Sequence, residues 1–92
     1  MTKGEYLVGI NFNPSNDDMV SQIKRRSADL IDLIESISVA SPPSEGRYED
    51  VSRINQHHEV ARLKALARTD VENAAMWAVK AATKPAFKQG SV

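Results

Sequence analysis

The chain contains no cysteine, so a disulfide framework and a thiolate metal site are both excluded, and its composition fits a reducing compartment. Aromatic residues are scarce: one tryptophan, two tyrosines and two phenylalanines among 92 residues. No apolar run approaches the roughly 20 residues that a bilayer-spanning helix needs. The opening MTKGEYLVG lacks the apolar stretch of a signal peptide. Neither sign of charge dominates, because 12 Lys and Arg balance 12 Asp and Glu. That balance argues against a long nucleic acid as partner, which needs a broad basic surface, but leaves room for a small anion held by a few focused cations. Leu, Ile, Val and Phe are fewer than a quarter of the residues, and alanine supplies much of the remaining apolar content. A single domain this short is near the lower limit for a self-sufficient core. The expectation is a homo-oligomer in which neighbouring copies cover flanks that one chain leaves wet.

What is present is helical habit. Ala61 to Pro85 has few breakers, and Val60, Leu63, Ala67, Val71, Ala74, Ala78 and Ala81 recur in steps of three and four. Leu66, Asn73, Trp77 and Lys84 form a second row beside them. Lys80 and Lys84 suit the negative end of a helix dipole, and Pro85 stops the helix. A second stripe, Val20, Ile23, Ser27, Leu30, Ile34 and Ile37, predicts an earlier helix that begins near a Ser15 and Asp18 capping pair. Before it, Tyr6, Val8, Ile10 and Phe12 alternate with Leu7, Gly9, Asn11 and Asn13, the period of an extended arm.

The resulting expectation is one mainly α domain, 1–92: an arm and turn at 1–14, a helix at 15–38, a loop at 39–52, a second helix at 53–84 and a tail at 85–92. The proline-rich loop lets the two helices form an antiparallel hairpin. Ser52 is the expected cap of the second helix, and the tail is polar except for Phe87.

Chemistry is sparse. His57 and His58 are adjacent and diverge by about 100° on a helix, so without a third ligand they read as surface residues. No nucleophile with a matching base, no glycine-rich phosphate loop and no acid pair in an apolar setting is present, which argues against an enzyme, and no cofactor is implied. Trp77 with Met76 reads as core filler, with a ligand-facing wall as the functional alternative. Lys24-Arg25-Arg26 reads first as a solvated face. Set against Phe12, however, these cations have the chemistry for a nucleotide, a ring to stack on a base and a cation to hold a phosphate.

Three segments, INFNPS, VSQIKRRSADLIDLIE and ARLKALARTDVENAAMWAVKAAT, resemble the small phage proteins of the anti-CBASS cyclic-oligonucleotide sponge family, which share a hairpin domain with the Thoeris anti-defence sponges. The most specific string is LA-x-T-x-x-E-x-A-x-MWA, carried by Leu66, Ala67, Thr69, Glu72, Ala74, Met76, Trp77 and Ala78. The resemblance implies a homohexamer of hairpins in the host bacterial cytoplasm that sequesters cyclic dinucleotides, such as cyclic GMP-AMP, without cleaving them. It also implies cyclic trinucleotides and cyclic ADP-ribose isomers as further ligands of some members. The base-stacking aromatic of the family falls on Phe12 and the phosphate-meeting cation on Lys24, with Asn13 and the turn backbone adding hydrogen bonds. Around the trinucleotide site the resemblance matches Thr69 and the place of Arg26, with Arg68 or Arg26 as the available substitute for a missing cation. There Asp70 follows Thr69 where relatives carry a basic residue, an acid that repels phosphate. The competing reading is a helical oligomeric scaffold or protein-interaction module with no nucleotide ligand.

Overall fold

The computed structural model describes residues 1–39 and 50–87. They form three helices, α1 (Lys3–Val8), α2 (Asp18–Glu35) and α3 (Asp50–Ala82), and no strand. α3 runs antiparallel to α2: Lys64 meets the C-terminal end of α2 at Glu35 and Ile37, while Ala75 and Met76 lie with Lys24 nearer its start. Most of the expected loop falls at 40–49, outside the described residues. No helix among the described residues is long and apolar enough to cross a membrane.

The extended arm is not what forms. Thr2 and Glu5 make a complete capping box, Glu5 N–H donating to Thr2 Oγ1 at 3.1 Å and Thr2 N–H to Glu5 Oε1 at 2.7 Å, and so nucleate a short helix. Gly9, at φ 64°, ends it in the left-handed conformation that glycine enters at little cost. The alternation at Tyr6, Val8, Ile10 and Phe12 was a weak signal of period two, and tertiary contacts overrule it. Gly4 N–H donates to Asp32 Oδ1 at 2.8 Å, and Arg25 bridges Glu5 and Asp29 at 2.8 and 2.7 Å. These contacts lay α1 along the middle of α2, with Gly4 against Ala28 and Asp32 and Glu5 against Arg25.

Helix starts also shift. Asp17, not Ser15, caps α2 by accepting from Met19 N–H at 2.8 Å, and Ser52 lies inside α3, which begins at Asp50. Residues 84–87 carry no regular structure, and Phe87 is 90% exposed.

The core is small. Val20, Ala28, Ile31, Ile34 and Ala75 are its buried apolar residues among those described, together with one charged residue, Lys24. Because α2 is covered by α1 on one side and α3 on another, its buried line is Val20, Lys24, Ala28, Ile31 and Ile34. The periodicity put Ile23, Ser27 and Leu30 at the centre; they instead edge an open groove shared with Val71, Ala74 and Ala78. On α3 the anticipated stripe is rotated. Ala75 is buried, while Leu63 and Ala74 are exposed. Cations occupy part of the packed face: Lys64 Nζ donates to Glu35 O at 3.0 Å and Ile37 O at 2.7 Å, and Arg68 pairs with the Glu35 carboxylate. They satisfy and neutralise the carbonyl end of α2, a service that hydrophobic spacing does not reveal. At about 1.5 Å per residue α3 is about 50 Å long against about 27 Å for α2, so its first turns, with Val51 and Ile54 exposed, extend past the end of α2.

A methyl group at Gly4 would sit 2.1 Å from Ala28 O and 2.8 Å from Asp32 Oδ1. Gly4→Ala is therefore expected to push α1 off α2 and to destabilise the chain by ~1–3 kcal/mol, the usual range for overpacking. Thermal denaturation checks this, and an unchanged midpoint would contradict the close approach. The Arg25 guanidinium and the Thr2 backbone hold the Glu5 carboxyl down at about 2. A depressed carboxylate contributes stability fully above its unfolded value near 4.5 and loses it as pH falls toward 2. Acid titration of the wild type and Glu5→Gln should thus converge below that window and diverge above it.

Candidate functional site

The site is built on the Gly9-to-Asn16 turn. Gly9 O accepts the Phe12 N–H at 2.9 Å, and Asn16 N–H donates to Asn13 O at 3.1 Å. The Asn13 side chain ties the turn to α2: its Nδ2 donates to Asp17 O at 2.9 Å and Ser21 Oγ at 3.0 Å, and its Oδ1 accepts from Ser15 Oγ at 2.8 Å. Under this turn lies Lys24, only 7% exposed. Its ammonium donates to Gly9 O at 2.9 Å and to Phe12 O, and stands 5.3 Å from the centre of the Phe12 ring. A buried cation requires such partners, and two carbonyl dipoles with an aromatic face supply them. Phe12 itself is 71% exposed, its ring presented to solvent above the charge.

Beside Lys24 a cleft of about 300 Å³ opens between α1 and α3. Leu7, Val8, Met76 and Val79 give it apolar walls, and Glu72 and Asn73 add polar groups to its lining. The size is at the lower end for small-ligand sites, and the mixture of apolar wall with a few polar groups is their usual make-up.

Phe12, Asn13 and Lys24 thus come together, with Asn13 committed to bonds inside the turn. Arg26, Arg68 and Thr69 do not join them. Arg26 is exposed on the rim of the Ile23–Leu30 groove and makes no hydrogen bond or ion pair among the described residues. Arg68 is engaged by Glu35, whose carboxyl it holds below the ordinary range, chiefly through that hydrogen bond. Thr69 is exposed on α3. Trp77 does not fill a core: it is 61% exposed with Lys80 Nζ 5.6 Å from its ring centre, and Met76 beside it is exposed as well. Sequence reasoning missed Glu72 and Val79 as cleft residues. Their signal was present as the helical series 72, 75, 76 and 79, one face of α3. Among the described residues no group of three or more His, Cys, Asp or Glu is placed to hold a metal.

An aromatic-capped lysine at one end of a helical hairpin, beside a cleft with apolar walls and a few polar groups, is the make-up of a small-ligand binding module. The chain belongs to the Acb2/Tad1 hairpin-domain family, the anti-CBASS and anti-Thoeris sponges, whose family model matches residues 5–83. It matches no curated protein and no solved structure. Membership implies sponge-type binding of cyclic oligonucleotide signals.

Replacing Lys24 with Met keeps most of the stem and removes the charge, leaving the Gly9 and Phe12 carbonyls without their donor. The expected result is a loosened turn at a cost of ~1–3 kcal/mol, read as faster amide exchange at Phe12 with α2 and α3 still protected. Unchanged exchange at Phe12 would contradict the latch.

Proposed function

We propose that this protein sequesters cyclic dinucleotide immune signals without cleaving them, as a phage anti-CBASS sponge that keeps the signal from the host effector. One observation carries the reading: in a chain of this family, the exposed Phe12 ring and the Lys24 ammonium stand 5.3 Å apart, and Lys24 also lines a cleft. A base stacks on Phe12, a contact worth ~1–3 kcal/mol. A phosphate oxygen accepts a hydrogen bond from the Lys24 N–H that the two carbonyls leave over, since an ammonium has three donors. Asn13 contributes by holding the turn in shape, so the ring is ordered before the ligand arrives.

Arg26, with Thr69 and Arg68, serves a second anionic ligand, a cyclic trinucleotide. Arg68 reaches it by leaving Glu35, which makes that site the weaker of the two. The working unit is a homohexamer. Support comes from the apolar surface that one chain leaves wet: Leu33 at 65%, Leu63 at 50% and Trp77 at 61% exposed. Patches of this kind are normally covered by a partner, and subunits packed there enclose ligand that a lone hairpin holds on one side only.

Calorimetric titration of the purified protein with 3′,3′-cyclic GMP-AMP, its linear form and a cyclic trinucleotide tests the reading, with light scattering for the mass. The cyclic species is expected to bind and to be recovered intact after denaturation. At 100 times its dissociation constant it stabilises the protein by ~2.7 kcal/mol. Phe12→Ala and Lys24→Ala should each weaken binding at least roughly fivefold, the lower end of a lost stacking contact, without changing the oligomer. Absence of binding would leave an oligomeric scaffold, and cleaved ligand would make the protein an enzyme.

A further inference from the structure

The cleft beside Lys24 contains a group that the stacking and phosphate contacts do not use. Glu72 lies on its α3 wall, half-buried, and makes no hydrogen bond or ion pair among the described residues. Asn73 is next to it, and Met76 and Val79 follow on the same helical face, opposite Leu7 and Val8 of α1. The lining thus offers apolar side chains to pack on a ring, with Glu72, Asn73 and Lys24 as its polar groups.

A carboxylate offers two acceptor oxygens side by side and no donor. Facing a phosphate it repels. Facing the Watson–Crick edge of guanine it meets two adjacent donors, N1–H and the 2-amino group, in the matching spacing. Adenine presents a ring nitrogen lone pair and one amino group on that edge, so one carboxylate oxygen would confront a lone pair. An unpaired polar group in a desolvated site is the costly outcome that gives hydrogen-bonding pockets their discrimination.

Lys24 belongs to both places, the floor of the turn under Phe12 and the lining of the cleft. A phosphate at Lys24 thus has one nucleoside on the Phe12 side and the other on the cleft side. We infer that the cleft between α1 and α3 is a guanine-selective base subsite in which the Glu72 carboxylate accepts from N1–H and the 2-amino group. Met76 and Val79 pack on the ring, and the Asn73 amide meets the remaining polar edge. The assignment rests on the cyclic dinucleotide reading above and adds to it a preference set by one residue.

The test is calorimetric titration of wild type and Glu72→Gln with three probes: 3′,3′-cyclic di-GMP, 3′,3′-cyclic GMP-AMP and 3′,3′-cyclic di-AMP. Wild type is expected to bind the two guanine-containing probes roughly tenfold or more tighter than cyclic di-AMP, the discrimination of one bidentate base contact. Glu72→Gln replaces one acceptor with a donor. It should weaken the guanine probes by about tenfold or more and leave cyclic di-AMP bound at least as tightly as by wild type, because the amide offers a donor to adenine's ring nitrogen and an acceptor to its amino group. The adenine arm then also reports that the variant is folded. Equal affinity of wild type for all three probes, preference for cyclic di-AMP, or a Glu72→Gln effect that is absent or the same for every probe would overturn the guanine assignment while leaving the sponge reading intact. Failure of all three to bind wild type would overturn both.

Discussion

A lysine ammonium buried beneath a turn governs the N-terminal half of this molecule. Lys24 sits in the middle of the buried line of α2, where a Leu or Ile would ordinarily stand, and its charge has to be met. The carbonyls of Gly9 and Phe12 meet it, so the chain between them must curl over the helix with both oxygens pointing down. Gly9 makes the curl accessible by taking a positive φ, and the same glycine ends α1. With α1 ended there, Gly4 falls against Ala28 and Asp32, close enough that no side chain fits between. One desolvated charge thus fixes a turn, a short helix and the position of an aromatic ring.

The rest of the hairpin is held as much by charges and caps as by apolar burial. Among the described residues five buried apolar ones, two of them alanine, provide little area for two long helices. Lys64 and Arg68 of α3 reach across to the carbonyl end and last carboxylate of α2, and Arg25 joins α1 to α2 through Glu5. Partly exposed ion pairs of this kind orient more than they stabilise. The arrangement sets the register of the helices while leaving their outer faces, with Leu33, Leu63 and Trp77, open to other surfaces.

The two long helices were legible in the sequence because their apolar spacing and the stop before Pro85 are local signals. The faces were less so. Periodicity ranks positions by apolarity, and here two neighbours, α1 and α3, divide α2 between them, so the buried line contains a lysine and skips Leu30 and Leu33. Nothing in a single stripe says that a second neighbour exists. The arm failed for a related reason: Tyr6, Val8, Ile10 and Phe12 alternate, but a capping box and a backbone bond from Gly4 to Asp32, 28 residues away, decide for helix. Phe12 and Lys24 were singled out from a resemblance and from residue chemistry. Their bonding through the turn backbone is a tertiary fact that the sequence does not display. Arg68 looked like a free cation because its partner Glu35 lies on the other helix.

The affinity of a sponge and its assembly are one problem in this fold. On the sponge reading proposed above, withholding a signal from a receptor takes binding at nanomolar levels, about −12 kcal/mol. Stacking on one ring gives ~1–3 kcal/mol, and the lysine is already engaged by two carbonyls, so its attraction for a phosphate is shared. The preformed turn lowers the ordering cost without adding contacts. Further contacts must come from surface within reach of the ligand, and that surface is what the hairpin leaves uncovered: the Phe12 face, the α1–α3 cleft and exposed Met76 and Trp77 along one side of α3. In the proposed homo-oligomer a second copy laid there would bury apolar area that a single chain exposes and would close the open side of the candidate site in the same step. A hairpin with a larger core would be more stable alone and would have less reason to enclose anything.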